Sequence, residues 1–288
     1  MKIIIKKCGK WPAFAPLRRG EQVTSDKNRR SARNEIPVTC HVSRVTALVS
    51  AFTIVELLVV ISIIAILAAL LLPALAVAKV HAQRTQAKLQ AQDIITAIQN
   101  YDSAYSRMPV PATAVTAAPN TNSYTFGGSF NTPAGIGTWP SAPGPNYFPS
   151  NSDVIAILMD ITTYTNGTAV AANLNHQKNP QQTIFLNAKQ VSDPNQPGVG
   201  PDLVYRDPWK NPFVITIDVN DDNQAVDPFY SSSTVSSGGL NGLNPQAAGA
   251  YYSYHGNVMV WSAGPDGKID PTQAANQGAN KDNVLSWQ

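Results

Sequence analysis

Glu56 is the residue whose place most needs a chemical reason, because it opens a run, Leu57 to Ala78, of 22 residues with no ionisable group. A carboxylate at the edge of such a run costs on the order of 2 to 3 kcal/mol to place in hydrocarbon, so an acid there points to function, with a cation as its partner. A plainer reading of the same residue is an interfacial acid at a helix N-terminus, where the helix dipole favours negative charge. Two acidic stretches are the other candidates for chemistry. Asp218-x-Asn220-x-Asp222 alternates oxygen donors as a calcium loop does, but Asn223 and Phe229 stand where a helix-loop-helix site needs Gly and a bidentate Glu, so it reads as a turn. The stretch from Trp261 to Trp287 carries a Gly-Pro-Asp-Gly turn, further carboxylates and the run Asn280-Lys281-Asp282-Asn283. Hard cations take about six to eight oxygens from carboxylates, amides and backbone carbonyls, and this stretch supplies all three. Catalysis has no comparable foothold. His81, His176 and His255 stand apart from any nucleophile motif, and there is no Gly-rich phosphate loop, paired-cysteine metal motif or Gly-x-Ser-x-Gly elbow. The expectation is a protein that is not an enzyme.

Composition narrows the setting of these residues. The 288 residues are 43% apolar, enough for a core, while 14% charged residues with 22 Pro and 18 Gly imply a loop-rich body. The net charge of +3 averages two unlike segments: residues 1–51 hold eleven Lys and Arg against three acids, leaving ten basic and fifteen acidic residues in the rest. A body of net charge −5 lacks the basic face that displaces counterions from phosphates, which argues against nucleic acid as a partner. Cys8 and Cys40 both lie in the basic segment, so a chain without it has no disulfide. A loop-rich body without disulfides needs another staple, and a bound metal is the usual substitute.

These residues must be positioned by a small set of elements. The 22-residue apolar run is roughly 33 Å long as a helix, matching a hydrocarbon core of about 30 Å. Arg29, Arg30, Arg33 and Arg44 precede it, and fewer basic residues follow, which favours an N-in orientation with the C-terminal body translocated. A cleavable secretory signal is the rival reading; the run is longer than its apolar region, and no small-x-small site closes it before Lys79. After Lys79 the pattern turns amphipathic, with Val80, Ala87, Ala91, Ile94, Ile98, Tyr101 and Tyr105 on one face. One helix is expected from Thr53 to Arg107, kinked or locally melted at Pro73, and stopped by Met108-Pro109-Val110-Pro111.

Residues 109–149 read as an irregular surface excursion whose aromatics pack down. Asn151-Ser152-Asp153 offers caps for a short helix over Val154 to Asp160. Phe213 to Val219 is a clear strand, and Tyr251 to Tyr254 and Asn257 to Trp261 follow as two more; Thr183 to Leu186 is strand or loop. The expected class is α+β, with the long helix burying its stripe on a small antiparallel sheet.

The string Ala51-Phe52-Thr53-Ile54-Val55-Glu56-Leu57-Leu58-Val59-Val60-Ile61 resembles the cleavage and methylation motif of type IV prepilins and type II secretion pseudopilins. The resemblance implies that a prepilin peptidase cuts between Ala51 and Phe52, that the new Phe52 amine is methylated, and that Glu56 pairs with the amine of a neighbouring subunit. Ala51 stands where the family usually has Gly. Physics supports the pairing, since opposite charges attract far more strongly in low dielectric than in water.

The C-terminal stretch is similar to the calcium loop of the major pseudopilins, and Asp207-Pro208-Trp209-Lys210-Asn211-Pro212-Phe213 looks like their Asp-Pro-Trp-Gly-Asn-Pro segment, with Lys210 in place of Gly. The resemblance implies calcium held by Asp266, Asp282 and Asn283, with Asp270 a further candidate. Asn283 stands where an Asp is common. Residues 1–51 would then be a cleaved leader, 52–108 the transmembrane and spine helix, and 109–288 a loop-rich head. The implied fold is pilin-like. The implied function is a structural subunit of a type II secretion pseudopilus, polymerising with itself and with other pseudopilins from an inner-membrane assembly platform, its head in the periplasm. A type IV pilin for adhesion or uptake is the first alternative, although those heads often close a disulfide loop. The second is a membrane-anchored binding or enzymatic domain that borrows the signal, for which a cleft of perturbed titratable groups in the Pro109 to Pro201 region would speak.

Overall fold

The computed structural model describes residues 52–117, 123–127, 130–132, 135–137, 147–148, 150–237 and 241–288. Residues 1–51, the expected leader with Ala51, lie outside the described residues, as does Trp139 of the aromatic-bearing excursion.

Helix α1 runs from Ile54 to Tyr105, 52 residues, and continues through Pro73 without a break, so of the kink or local melting expected there the melting does not occur. Its two halves differ because their residues do. Every residue from Phe52 to Ala82 is exposed, large aliphatics included, and the helix is long and apolar enough to cross a membrane. From Ala87 onward one face is buried, through Ala87, Ala91, Ile94, Ile95, Ala97, Ile98 and Tyr101. That is the expected stripe widened by Ile95 and Ala97, while Val80 lies outside it, 37% exposed. Burying Ile94 and Ile98 completely is worth about 2 kcal/mol each. The helix ends where Ser106 turns to φ +50° and donates its N–H to the Asp102 carbonyl at 2.7 Å, just before the prolines.

The head end of α1 is tied to a distant loop by polar tips on apolar rings. Tyr101 Oη donates to the Lys178 carbonyl at 2.5 Å and Tyr105 Oη to Asn179 Oδ1 at 2.7 Å. Phe185 packs edge-on against both rings, at centroid distances of 5.4 and 5.9 Å.

The chain continues through α2 (Ala112–Ala117), β1 (Ser123–Phe126), β2 (Phe130–Thr132), β3 (Gly135–Gly137), β4 (Tyr147–Phe148) and α3 (Ser152–Leu158). Then come β5 (Gly198–Val199), β6 (Tyr205–Arg206), β7 (Val214–Asp218), β8 (Gln224–Ala225) and α4 (Ser233–Ser236). Last are β9 (Asn244–Gln246), β10 (Tyr251–His255), β11 (Val258–Ser262) and β12 (Val284–Leu285). The class is α+β. A five-stranded sheet runs β12-β11-β7-β1-β4, antiparallel except for β1 with β4; β8-β10-β9 form a second sheet, and β2 with β3 and β5 with β6 make two-stranded ribbons.

Three expectations are corrected. The excursion after Pro109 contains β1, a strand paired antiparallel along β7 with Phe126 opposite Ile215. The neighbours β10 and β11 join different sheets instead of pairing with each other. At the start of α3, Asn151 does not cap the helix with its side chain, which is committed elsewhere. Its Nδ2 donates to the Tyr205 and Phe213 carbonyls at 3.0 and 2.9 Å, and its Oδ1 accepts from the Tyr205 N–H at 2.9 Å, a buried clasp joining α3 to β6 and the approach to β7.

The central sheet is covered on both faces, and the two-residue period of its strands sorts the side chains. Ile215, Ile217, Val258 and Val260 join the core under α1 and α3. Val214, Met259 and Trp261 face the opposite way and pack with Phe229, Tyr230, Ile269 and Leu285 in a second core. The candidate cation residues are built on that second layer.

Candidate functional site

Two groups of residues are the candidates for chemistry. At the N-terminal end, Phe52 is 74% exposed and Glu56 is exposed on the first turn of α1. The structure thus places Glu56 in the first turn of α1, four positions along the chain from Phe52. Ala51 lies outside the described residues.

The second group is the turn after β11 and the segment leading into β12. Gly264 and Gly267 both adopt left-handed backbone, φ +68° and +61°. A Cβ on Gly264 would stand 2.3 Å from the Asp282 carbonyl oxygen, and one on Gly267 would stand 2.6 Å from Asn211 Oδ1, so neither position has room for a side chain. The close approach brings the Asp266 turn against Asp282 and Asn283. Burial raises the Asp282 carboxyl pKa, the neighbouring Asp266 charge raises it further, and Arg84 on α1 opposes them. Asp282 Oδ1 and Asn283 Oδ1 are both buried without a hydrogen-bond partner. Buried acceptors are ordinarily paired, so unsatisfied oxygens on two consecutive residues, the first facing the Asp266 charge, are candidate cation ligands. Among the described residues no three His, Cys, Asp or Glu side chains form a metal-ligand group, so a cation here would draw on amide and backbone oxygens as well as carboxylates, as calcium does.

Asp270 is engaged differently from Asp282. Its Oδ1 accepts from the Thr272 N–H and hydroxyl at 2.9 and 2.6 Å, and its Oδ2 from Gln273 at 2.7 Å. These bonds, those of Thr272 foremost, hold its carboxyl below the ordinary carboxylate range. Asn280 closes the same loop, accepting from the Asp270 N–H at 2.8 Å and donating to the Asp270 carbonyl at 2.7 Å. The structure therefore sets the Asp266 charge against Asp282, brings the backbone of the turn against Asp282 and Asn283, and gives Asp270 to a local turn. The other acidic stretch is likewise a turn, with Asp218 accepting from the Asn220 and Asn223 N–H groups at 3.2 and 2.8 Å.

The base of the turn rests on Asp207, which is fully buried. Its Oδ1 accepts from the Trp209 and Asn211 N–H groups, both at 2.8 Å, and its Oδ2 from the Ser262 hydroxyl. Ser262 Oγ accepts from the Gly264 N–H at 3.1 Å, and Asn211 Nδ2 donates to the Gly264 carbonyl at 2.7 Å. The Asp-Pro-Trp string is thus the bracket of the C-terminal turn. Lys210 sits at φ +81°, a left-handed conformation that costs a side-chain-bearing residue roughly 1 kcal/mol or more.

Burial pushes the Asp207 carboxyl up to about 6, against the hydrogen bonds that favour its charge. Between the ordinary carboxylate value and about 6, native molecules keep a proton that unfolded ones release, so stability falls as pH rises through that window. The loss is on the order of 3 kcal/mol. Asp207→Asn is expected to flatten the pH profile of the melting temperature between about 4 and 6. Asp207→Ala, which strands two part-buried N–H groups, is expected to cost about 1 to 2 kcal/mol more at any pH.

Ser262, Asn211 and Arg84 acquire roles here that their residue types did not announce. The signal for the first two was the pair of motif strings that contain them; Arg84 carried none. No family model, curated protein or solved structure matches the chain.

Proposed function

We propose that this chain is a prepilin-class structural subunit, closest in kind to the major pseudopilin of type II secretion. The observation that carries the reading is α1: one unbroken helix whose apolar half is uncovered by the other described residues and whose other half is the spine of an α+β head. An uncovered apolar half of that length needs lipid or other helices around it.

In this reading the precursor sits in the inner membrane N-in, with its head in the periplasm. A prepilin peptidase cuts after Ala51, and Phe52 becomes the methylated terminus. Released apolar helices bundle with copies of the same chain and with other pseudopilins, on an inner-membrane assembly platform. Glu56 sets the register against the Phe52 amine of a neighbour, offsetting the insertion cost of both charges. The pilin-like fold serves to hold a polar head on a membrane-soluble rod, and no catalytic step is part of the proposal. Asp266, Asp282 and Asn283 would hold calcium, which would cross-link the C-terminal turn to the segment before β12, as a disulfide would in a cysteine-bearing head.

Mass spectrometry of the mature protein tests the reading directly. The expected N-terminal peptide begins at Phe52 and carries one added methyl group. A working protein that retains residues 1–51 would overturn it.

A further inference from the structure

We propose that Tyr230 is the positioning residue of the candidate cation site: its hydroxyl accepts from Asn283 Nδ2 at 2.8 Å and so aims Asn283 Oδ1, buried and unpartnered, as a ligand oxygen. The inference rests on the calcium reading above and deepens it. A carboxamide is planar, with its oxygen and nitrogen on opposite sides, so anchoring the nitrogen fixes where the oxygen points. Anchoring matters at this position because Asn283 carries no charge to draw a cation in, and a neutral ligand helps chiefly when its orientation is set beforehand.

Tyr230 can act as an anchor because nothing about it is free to move. Its ring is fully buried and met edge-on by Phe229, Trp261 and Trp287 at centroid distances of 4.9, 5.2 and 5.3 Å. Its N–H donates to the buried carboxylate of Asp227 at 2.9 Å, and its carbonyl accepts from Ser236 Oγ. Asp227 is itself held by the indole N–H of Trp261 at 2.9 Å. Burial raises the Tyr230 pKa, which keeps the hydroxyl neutral. The chain from Trp261 on β11 through Asp227 and Tyr230 to Asn283 thus ties the ligand amide to the central sheet.

The test is calcium titration of the full chain in detergent, by isothermal calorimetry and by melting temperature with and without calcium. Tyr230→Phe is expected to weaken calcium about tenfold, with the calcium-free melting temperature little changed. In an Asn283→Ala background the same substitution is expected to change affinity no further, because no amide is left to orient. Tyr230→Phe binding calcium as tightly as the unsubstituted chain would overturn the positioning role and leave the calcium reading standing. A drop only in the calcium-free melting temperature would show a purely structural hydroxyl and would overturn it too. An unsubstituted chain that binds no calcium at all would overturn both.

Discussion

Glu56→Ala is expected to enter the membrane at the level of the unsubstituted chain and to form no filaments. Insertion is driven by the apolar run, and removing a charge from its edge only makes insertion easier. Assembly is another matter. A carboxylate and an ammonium about 4 Å apart in partly buried surroundings attract by roughly 4 kcal/mol, so losing the acid lowers each subunit contact by about a thousandfold and strands an uncompensated amine in lipid. Glu56→Gln keeps the shape without the charge and should fail in the same way. The assay compares alkali-resistant membrane protein with sheared filaments seen by electron microscopy. Filaments at normal yield would remove Glu56 from the mechanism.

Removal of calcium is expected to lower the melting temperature of the full chain by about 5 to 10 °C. Free calcium at about a hundredfold over its dissociation constant stabilises a native state by roughly 2.7 kcal/mol. In a protein of this size each kcal/mol shifts melting by about 2 to 4 °C. Asp282→Asn should reproduce the shift without a chelator and should cancel the response to EDTA. That substitution relieves the repulsion by Asp266, so a metal-free protein stabilised by it, with no calcium response before or after, would identify the pair as a strained turn and nothing more.

The sequence makes some of this fold legible and hides the rest for identifiable reasons. The stripe on α1 can be read because a helical period repeated over many turns averages out local exceptions, and β7 because five β-branched or apolar positions stand in a row before an Asn-Asp turn. Strand β1 escapes notice, being four residues set in a stretch rich in Pro, Gly, Thr and Asn, and it is a strand only because β7 offers it an edge. The division of β10 and β11 between two sheets is tertiary, since alternation specifies a strand without naming its partner. Asn151 has the residue type of a cap and the duty of a clasp, because its amide is taken up by the buried Tyr205 and Phe213 peptide groups. In the candidate site, Asp266, Asp282 and Asn283 could be picked out from donor chemistry and motif. Tyr230 could not, for its contact with Asn283 spans 53 positions of chain and has no periodic signature.

Proline has no N–H to give, so along α1 the carbonyl of Ala69 lacks the backbone donor that residue 73 would otherwise supply. The helix is a rod of about 78 Å, and axial load on it is shared among parallel rungs everywhere except there. Extension or bending of α1 under tension is therefore expected at that depth first, in the apolar half. A helix bundled with its copies, as proposed above, would then be a stiff shaft with one compliant joint.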